Sequence, residues 1–249
     1  MAATVSTLPV LSSADSNVLS KVVTSTDSSF KYLYFGLHGR GELTRTLFVF
    51  GGAKWEELTI DWPAQKELTP FQCVPVAYET AKDGTVIELA ESAAIERYLA
   101  RKFHLLGKNE YEQVKVDQYV SSTDSVATIF STKIVFNSPE ERVEEANKFY
   151  AGALSRFITL HEEHLKKNGS NGHYVGSDFT FADLKTAQLI GRLHLLKPKG
   201  ADEVPLSAEK TPNLWKVYET VNSQPNLAAW RKSQRYQELD AGSKVFLKF

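Results

Sequence analysis

"FKYLYFGLHGRGELTRTLFVF", residues 30–50, is the stretch from which the fold is read. Its opening "FKYLYF" is an aromatic and aliphatic run of strand length and reads as a buried strand. "GLHGRGE" (36–42) follows as a loop with three glycines. "LTRTLFVFGG" (43–52) then sets Leu43, Leu47 and Phe48 on one helical face and ends in a Gly-Gly stop. Working outward, "WEELTI" (55–60) alternates as a second strand, and "DWPAQKELTPFQ" (61–72) is a polar loop carrying two prolines. "VPVAYE" (74–79), the turn "KDG" (82–84) and "VIEL" (86–89) form a hairpin with Asp83-Gly84 at its tip. "ESAAIERYLARKF" (91–103) is a helix with Ala94, Ile95, Tyr98 and Leu99 inward. The order over residues 30–103 is therefore strand, helix, strand, loop, hairpin, helix: a βαβ half joined to a ββα half.

Beyond Lys108 the strand signal stops. The segments 110–135, 138–169, 180–196, 211–224 and 226–239 all repeat near 3.6 residues. Ser138-Pro139 and Thr211-Pro212 have the form of a cap followed by a first-turn proline. "TFAD" (180–183) is a capping-box-like helix start with Asp in place of the usual Glu, read as folding architecture. A mixed α/β unit, 30–103, thus precedes an all-helical unit, 108–249, with the boundary near 104–110. Residues 1–29 are Ser-, Thr-, Val- and Asp-rich, and their composition favours a flexible extension over an accessory helix or strand.

With 249 residues, 42% hydrophobic and 24% charged, the chain has ordinary globular composition and enough length for a core without staples. Lys+Arg of 29 against Asp+Glu of 30 leaves a net charge of -1, without the basic footprint of a nucleic-acid binder. A single cysteine, Cys73, forms no intramolecular disulfide or cysteine metal cluster, and it fits a reducing, intracellular compartment. No run approaches the roughly 20 apolar residues of a membrane span, and the start lacks the basic n-region and apolar h-region of a secretory signal. The six histidines offer no metal spacing except His161/His164, which beside Glu162 and Glu163 read as a solvated helix face. Nucleotide loops, nucleophile elbows and dinucleotide fingerprints are missing from the sequence.

Several residues carry chemistry. Tyr34 ends the first strand ahead of the glycine loop; it is either core or a phenol at a cleft mouth, able to donate to an anion such as a thiolate. Arg40, six residues on, supplies positive charge nearby or is a plain surface arginine. Trp62 and Lys66 are an indole N–H and an ammonium on one loop, donors suited to a carboxylate. Val74-Pro75 is a candidate cis bond, leaving the Val74 main chain to pair with an extended peptide. Glu91-Ser92 open a helix, either as a plain cap or as an anion site, with Glu91 facing an ammonium.

In this order the stretches "KYLYFGLHGRGELTRTLF", "DWPAQKELTPFQCVPV", "ELAESAAIERYLARKF" and "YVGSDFTFADL" resemble the cytosolic glutathione transferases, nearest the tyrosine-type group with sigma-like features. The resemblance implies a thioredoxin-like α/β N-terminal domain (30–103) that binds glutathione, and an all-α C-terminal domain (108–249) that shapes the second-substrate pocket. It also implies glutathione as co-substrate, a small hydrophobic electrophile, a cytoplasmic homodimer, and no metal, nucleic acid or membrane. Tyr34 falls on the catalytic tyrosine and Arg40 on the arginine supporting it. Trp62 and Lys66 match the donors to the glycyl carboxylate, Val74 before Pro75 the pairing with the cysteinyl backbone, and Glu91 and Ser92 the γ-glutamyl grip. Gln72 and Cys73 stand where relatives often have Gly-Gln, and Glu91 replaces a commoner Gln. Phe35, Leu37 and His38 are expected at the second-substrate pocket. The position of a partner-subunit aspartate in relatives aligns with Ser121, near Asp117 and Asp124. A glutathione-dependent isomerase or peroxidase, such as a prostaglandin D synthase, and a non-catalytic member like the lens crystallins are the alternatives.

Overall fold

The structure, a computed structural model, describes residues 7–9, 15–59 and 61–249. The main-chain contacts divide it into two compact units that meet at Phe103/His104. In the first, helix α1 (Ser16–Val23) precedes β1 (Ser29–Leu33), α2 (Glu42–Phe50), β2 (Lys54–Leu58), β3 (Val76–Thr80), β4 (Val86–Ala90) and α3 (Ser92–Lys102). The sheet order is β2-β1-β3-β4, with β1 parallel to β2 and antiparallel to β3, and β3–β4 an antiparallel hairpin. From β1 to α3 this is the order of elements expected from the hydrophobic pattern.

Alternation in β1 sends side chains to two faces. On one, Phe30 and Tyr32 meet Phe48 of α2 at centroid distances of 4.9 and 5.7 Å, and Phe48 also stacks on Trp55 at 5.4 Å. On the other, Leu33, Leu58, Val76, Tyr78 and Val86 form a second cluster, against which Leu8 packs. Helix α2 is buried along Glu42–Phe48, so its single arginine, Arg45, has no route to solvent and must find partners inside.

The expectation of a flexible extension over 1–29 differs from the structure where it is described; residues 1–6 and 10–14 lie outside the described residues. Asp15 caps α1, its side chain accepting from the Asn17 N–H at 2.8 Å, and Val22 is buried. The Lys102 ammonium on α3 donates to the Ser25 carbonyl at 2.6 Å and pairs with the fully buried Glu79 at 2.7 Å. Ser28 and Tyr98 hydroxyls each donate to the same carboxylate at 2.5 Å. A polar composition is thus held by a long-range charge that the local sequence does not contain.

The second unit comprises α4 (Glu110–Phe130), α5 (Arg142–Phe149), α6 (Ser155–Lys167), α7 (Phe181–Leu195), α8 (Pro212–Ser223), α9 (Pro225–Lys232) and α10 (Gln234–Leu247). Wide i→i+5 turns at Ser131–Val135 and Tyr150–Leu154 extend α4 and join α5 to α6. Helix α7 is the hub, packed against α4 and α8 and buried at most positions. Its start carries the expected capping box: Asp183, fully buried, accepts from the Thr180 N–H at 2.7 Å and the Tyr174 N–H at 2.8 Å. Thr211-Pro212 opens α8 as expected, whereas Ser138-Pro139 opens a turn and the helix starts only at Arg142. There the Arg142 guanidinium turns inward to the Asn137, Val135 and Lys248 carbonyls.

His161 corrects the reading of a solvated histidine face. It is buried, stacked on Phe157 at 3.7 Å, with Nδ1 at 2.6 Å from the Tyr174 hydroxyl and Nε2 at 2.9 Å from the Ser122 hydroxyl. Neighbouring Glu162 is no surface ornament either, since it accepts the Leu214 N–H at 2.8 Å and so caps α8. Burial pushes the imidazole down to about 3, so it stays neutral in the fold while the unfolded chain takes up a proton below about 6.5. Stability is therefore lost as pH falls through that window, by at most about 1.4 kcal/mol per pH unit from this group. Urea titrations across the window are expected to show this slope, and His161→Gln to flatten it.

Candidate active site

The candidate site residues from Tyr34 to Ser92 all lie in the first unit. Tyr34 lies immediately after β1, half-buried, at the head of the 35–41 loop. Its hydroxyl accepts the Arg40 main-chain N–H at 2.9 Å. Accepting that bond polarises the phenol toward donation to an anion. The loop can close this tightly only because of two glycines. A Cβ on Gly39, at φ +44°, meets the Tyr34 hydroxyl at 2.5 Å, and one on Gly41 meets the Tyr34 ring at 2.4 Å. Gly41→Ala is expected to displace the ring and lower activity on thiol substrates by about tenfold or more, since small misplacements of a reacting group are costly. Steady-state kinetics beside a circular dichroism spectrum of unchanged shape checks this.

Arg40 therefore supports Tyr34 through its main chain; its side chain is exposed. The buried cation beside the tyrosine is Arg45, which sequence reading passed over. Its guanidinium lies 5.6 Å from the centroids of both Tyr32 and Tyr34 and donates to the Phe35 and Leu37 carbonyls at 2.9 Å each. Nε donates to Glu57 of β2 at 2.6 Å. The available signal was one charge inside the otherwise uncharged run 43–50.

Aromatic contacts lead from Tyr34 to the neighbouring loop: Phe35 lies 5.4 Å from Tyr34 and 5.6 Å from Trp62. Trp62 and Lys66 are half-buried on that loop, where Gln65 closes a turn by accepting the Asp61 N–H at 3.0 Å. Leu37 and His38 are buried, so of the three residues expected at the second-substrate pocket Phe35 is the more accessible. The Val74–Pro75 bond is cis, as is Trp62–Pro63. Val74 stands just outside the β1–β3 ladder, whose register starts with Val76 opposite Leu33.

Glu91 and Ser92 occupy the N-terminus of α3. Glu91 takes φ +68°, a left-handed conformation that costs a non-glycine residue about 1–3 kcal/mol, and its side chain makes no capping bond. Plain capping by Glu91 is therefore not what the geometry provides. Instead the Cys73 thiol donates to the Glu91 carboxylate at 3.8 Å. Burial first, and then Glu91, push that thiol up, while the charges of Arg40 and Lys66 act in the opposite sense. Cys73 is accordingly a protonated neighbour of Glu91, and the same interactions place Arg40, Lys66, Cys73 and Glu91 in one electrostatic neighbourhood. Gln72, exposed at φ +51°, donates from its side-chain amide to Glu67 at 3.3 Å. In the helical unit Asp124 is paired with Lys185 at 2.8 Å.

The ensemble offers a phenol with a main-chain donor behind it, a peptide edge at Val74, donors at Trp62, Lys66 and the α3 N-terminus, and a carboxylate at Glu91. That donor and acceptor set suits a short extended peptide bearing two carboxylates, an amine and an ionisable thiol.

Residues 124–234 match the family model described as "Glutathione S-transferase, C-terminal domain". The chain is 34% identical to "Glutathione S-transferase 1" of Ascaris suum over 207 residues, covering 81% of this chain and 94% of that protein. It is 30% identical to "Hematopoietic prostaglandin D synthase" of Gallus gallus, with 81% of this chain and 94% of that protein covered. The solved "Fasciola hepatica sigma class GST" superposes with a TM-score of 0.72 at 25% identity, over 82% of this chain and 96% of that one. The chain belongs to the glutathione S-transferase family.

Proposed function

We propose that this chain is a tyrosine-type, sigma-like glutathione transferase in which Tyr34 holds the co-substrate's sulfur as thiolate for attack on small hydrophobic electrophiles. The observation that carries this reading is the Tyr34 hydroxyl, backed by the Arg40 N–H and walled by Gly39 and Gly41. Trp62 and Lys66 take the glycyl carboxylate. The Val74 main chain before Pro75 pairs with the cysteinyl residue, Gln72 and Cys73 flank it, and Glu91 and Ser92 take the γ-glutamyl end. The thiol proton leaves to solvent, the sulfur forms a bond to the electrophilic carbon, and the leaving group departs with its electron pair. A free thiol near 8.5 is only a few per cent ionised at neutral pH, so stabilising the anion raises the reactive fraction directly.

The family resemblance assigns the electrophile's pocket to the helical unit. A homodimer fits the exposed Phe71, 64% accessible, and the apolar-floored groove of about 760 Å³ beside Tyr119, Val126, Ile129 and Phe157. Among the described residues no helix is long and apolar enough to cross a membrane. Detoxification in the cytoplasm is the setting this reading favours. A glutathione-dependent isomerase reading is kept because of the prostaglandin D synthase relative. Conjugation of glutathione to an aryl halide, assayed beside isomerisation of a prostaglandin endoperoxide, tests both; turnover of neither by a folded, glutathione-binding protein overturns them.

A further inference from the structure

Arg45 is a fully desolvated cation that donates to two carbonyls of the loop following Tyr34 and to a carboxylate on β2. With its side chain 1% exposed, it reaches from α2 beneath Tyr32 and Tyr34. It fastens the first half of the 35–41 loop through the carbonyls of Phe35 and Leu37. The second half of that loop is closed by the Arg40 N–H on the Tyr34 hydroxyl. The loop is thus tied at one end by a buried charge and at the other by the phenol. Glu57, on β2 with its side chain 22% exposed, is the carboxylate that balances this charge at 2.6 Å. Glu96 of α3 also acts on Tyr32, in the sense opposite to Arg45, and the exposed Arg40 stands on the loop itself.

We propose that Arg45 and Glu57 are a positioning pair for the transferase reaction: Arg45 holds the Tyr34 loop in register, and the balance between the two charges helps set the ionisation of the sulfur that Tyr34 receives. The inference rests on the reading of Tyr34 given above. A buried unit charge near a titrating group moves its ionisation by about a pH unit or more, because the interior screens poorly. A lysine in place of the arginine keeps the charge but loses the planar fork that reaches two carbonyls and a carboxylate together.

The two halves of the pair consequently have opposite signatures. Glu57→Gln keeps a hydrogen-bond acceptor for Nε but removes the counter-charge. The acid limb of the kcat/KM profile for glutathione conjugation is then expected to move down by about 0.5 pH unit. Arg45→Met is expected to move it up by about 1 pH unit, and Arg45→Lys to hold the midpoint near wild type while lowering kcat about tenfold. Should Arg45→Met fold poorly, the Glu57→Gln shift and the Arg45→Lys split carry the test by themselves. Tyr34→Phe is run alongside. If it raises the midpoint while Glu57→Gln and Arg45→Lys both behave as wild type, the pair is overturned and the tyrosine reading survives. If Tyr34→Phe leaves the midpoint in place, both fall.

Discussion

Tyr34→Phe is expected to lower kcat/KM for glutathione conjugation by about 10- to 150-fold at neutral pH. The figure follows from the hydrogen bond it deletes, since a bond to an ionised group is worth about 1.5–3 kcal/mol and each 1.36 kcal/mol is a tenfold change in rate. The loss is expected in kcat more than in the KM for glutathione. In the proposed reading Trp62, Lys66, Val74, Glu91 and Ser92, distributed over other elements, grip the peptide without the phenol. Packing is little disturbed, because Tyr34 is half-buried and its ring contacts with Tyr32, at 6.4 Å, and Phe35 are available to phenylalanine. At alkaline pH, where free thiol ionises unaided, the two proteins are expected to converge. Kinetics over a range of pH with an aryl halide read all three features.

The largest stability effect is expected at Lys102. Its ammonium is 10% exposed and sits 2.7 Å from Glu79, which is 0% exposed, while also donating to the Ser25 carbonyl at 2.6 Å. Lys102→Met leaves a desolvated carboxylate with only the Ser28 and Tyr98 hydroxyls for company. Removing one partner of such a pair costs about 3–5 kcal/mol, because the remaining charge stays buried. Glu79→Gln/Lys102→Met, with the charge gone from both sides, is expected to recover much of the loss. Urea unfolding monitored by tryptophan fluorescence measures both. Because the Val22, Val23 and Ser25 carbonyls face the same ammonium, faster proteolytic cleavage after α1 is expected to accompany the single substitution.

The architecture was legible because each signal was local. A switch in hydrophobic period from two to 3.6 near residue 108, Asp83-Gly84 at a hairpin tip and Thr180/Asp183 at a helix start each report on their own few residues. The neighbouring pieces of the candidate site were legible for the same reason: Tyr34 with the glycine loop, Val74 with Pro75, Glu91 with Ser92. What escaped depends on distance in sequence. Arg45 reaches Glu57 from another element, and Lys102 holds Ser25 across 77 positions, so neither partnership has a local pattern. The support for Tyr34 from Arg40 was sought in a side chain and is found in the main chain, which any residue type at that position can supply. His161 could have been read correctly. Phe157, His161 and Leu165 recur every four residues and all three are buried, but adjacent Glu162 and Glu163 made the face seem solvated.

In the proposed mechanism the Tyr34 hydroxyl stabilises the thiolate of bound glutathione. The most direct measurement is the ultraviolet absorbance of thiolate in the binary complex, titrated against pH for the wild-type protein and for Tyr34→Phe. A wild-type midpoint at least one pH unit below the ~8.5 of a free thiol is expected, with a return toward that value when the hydroxyl is removed. Superimposable titrations for the two proteins, with glutathione bound to both, would contradict it.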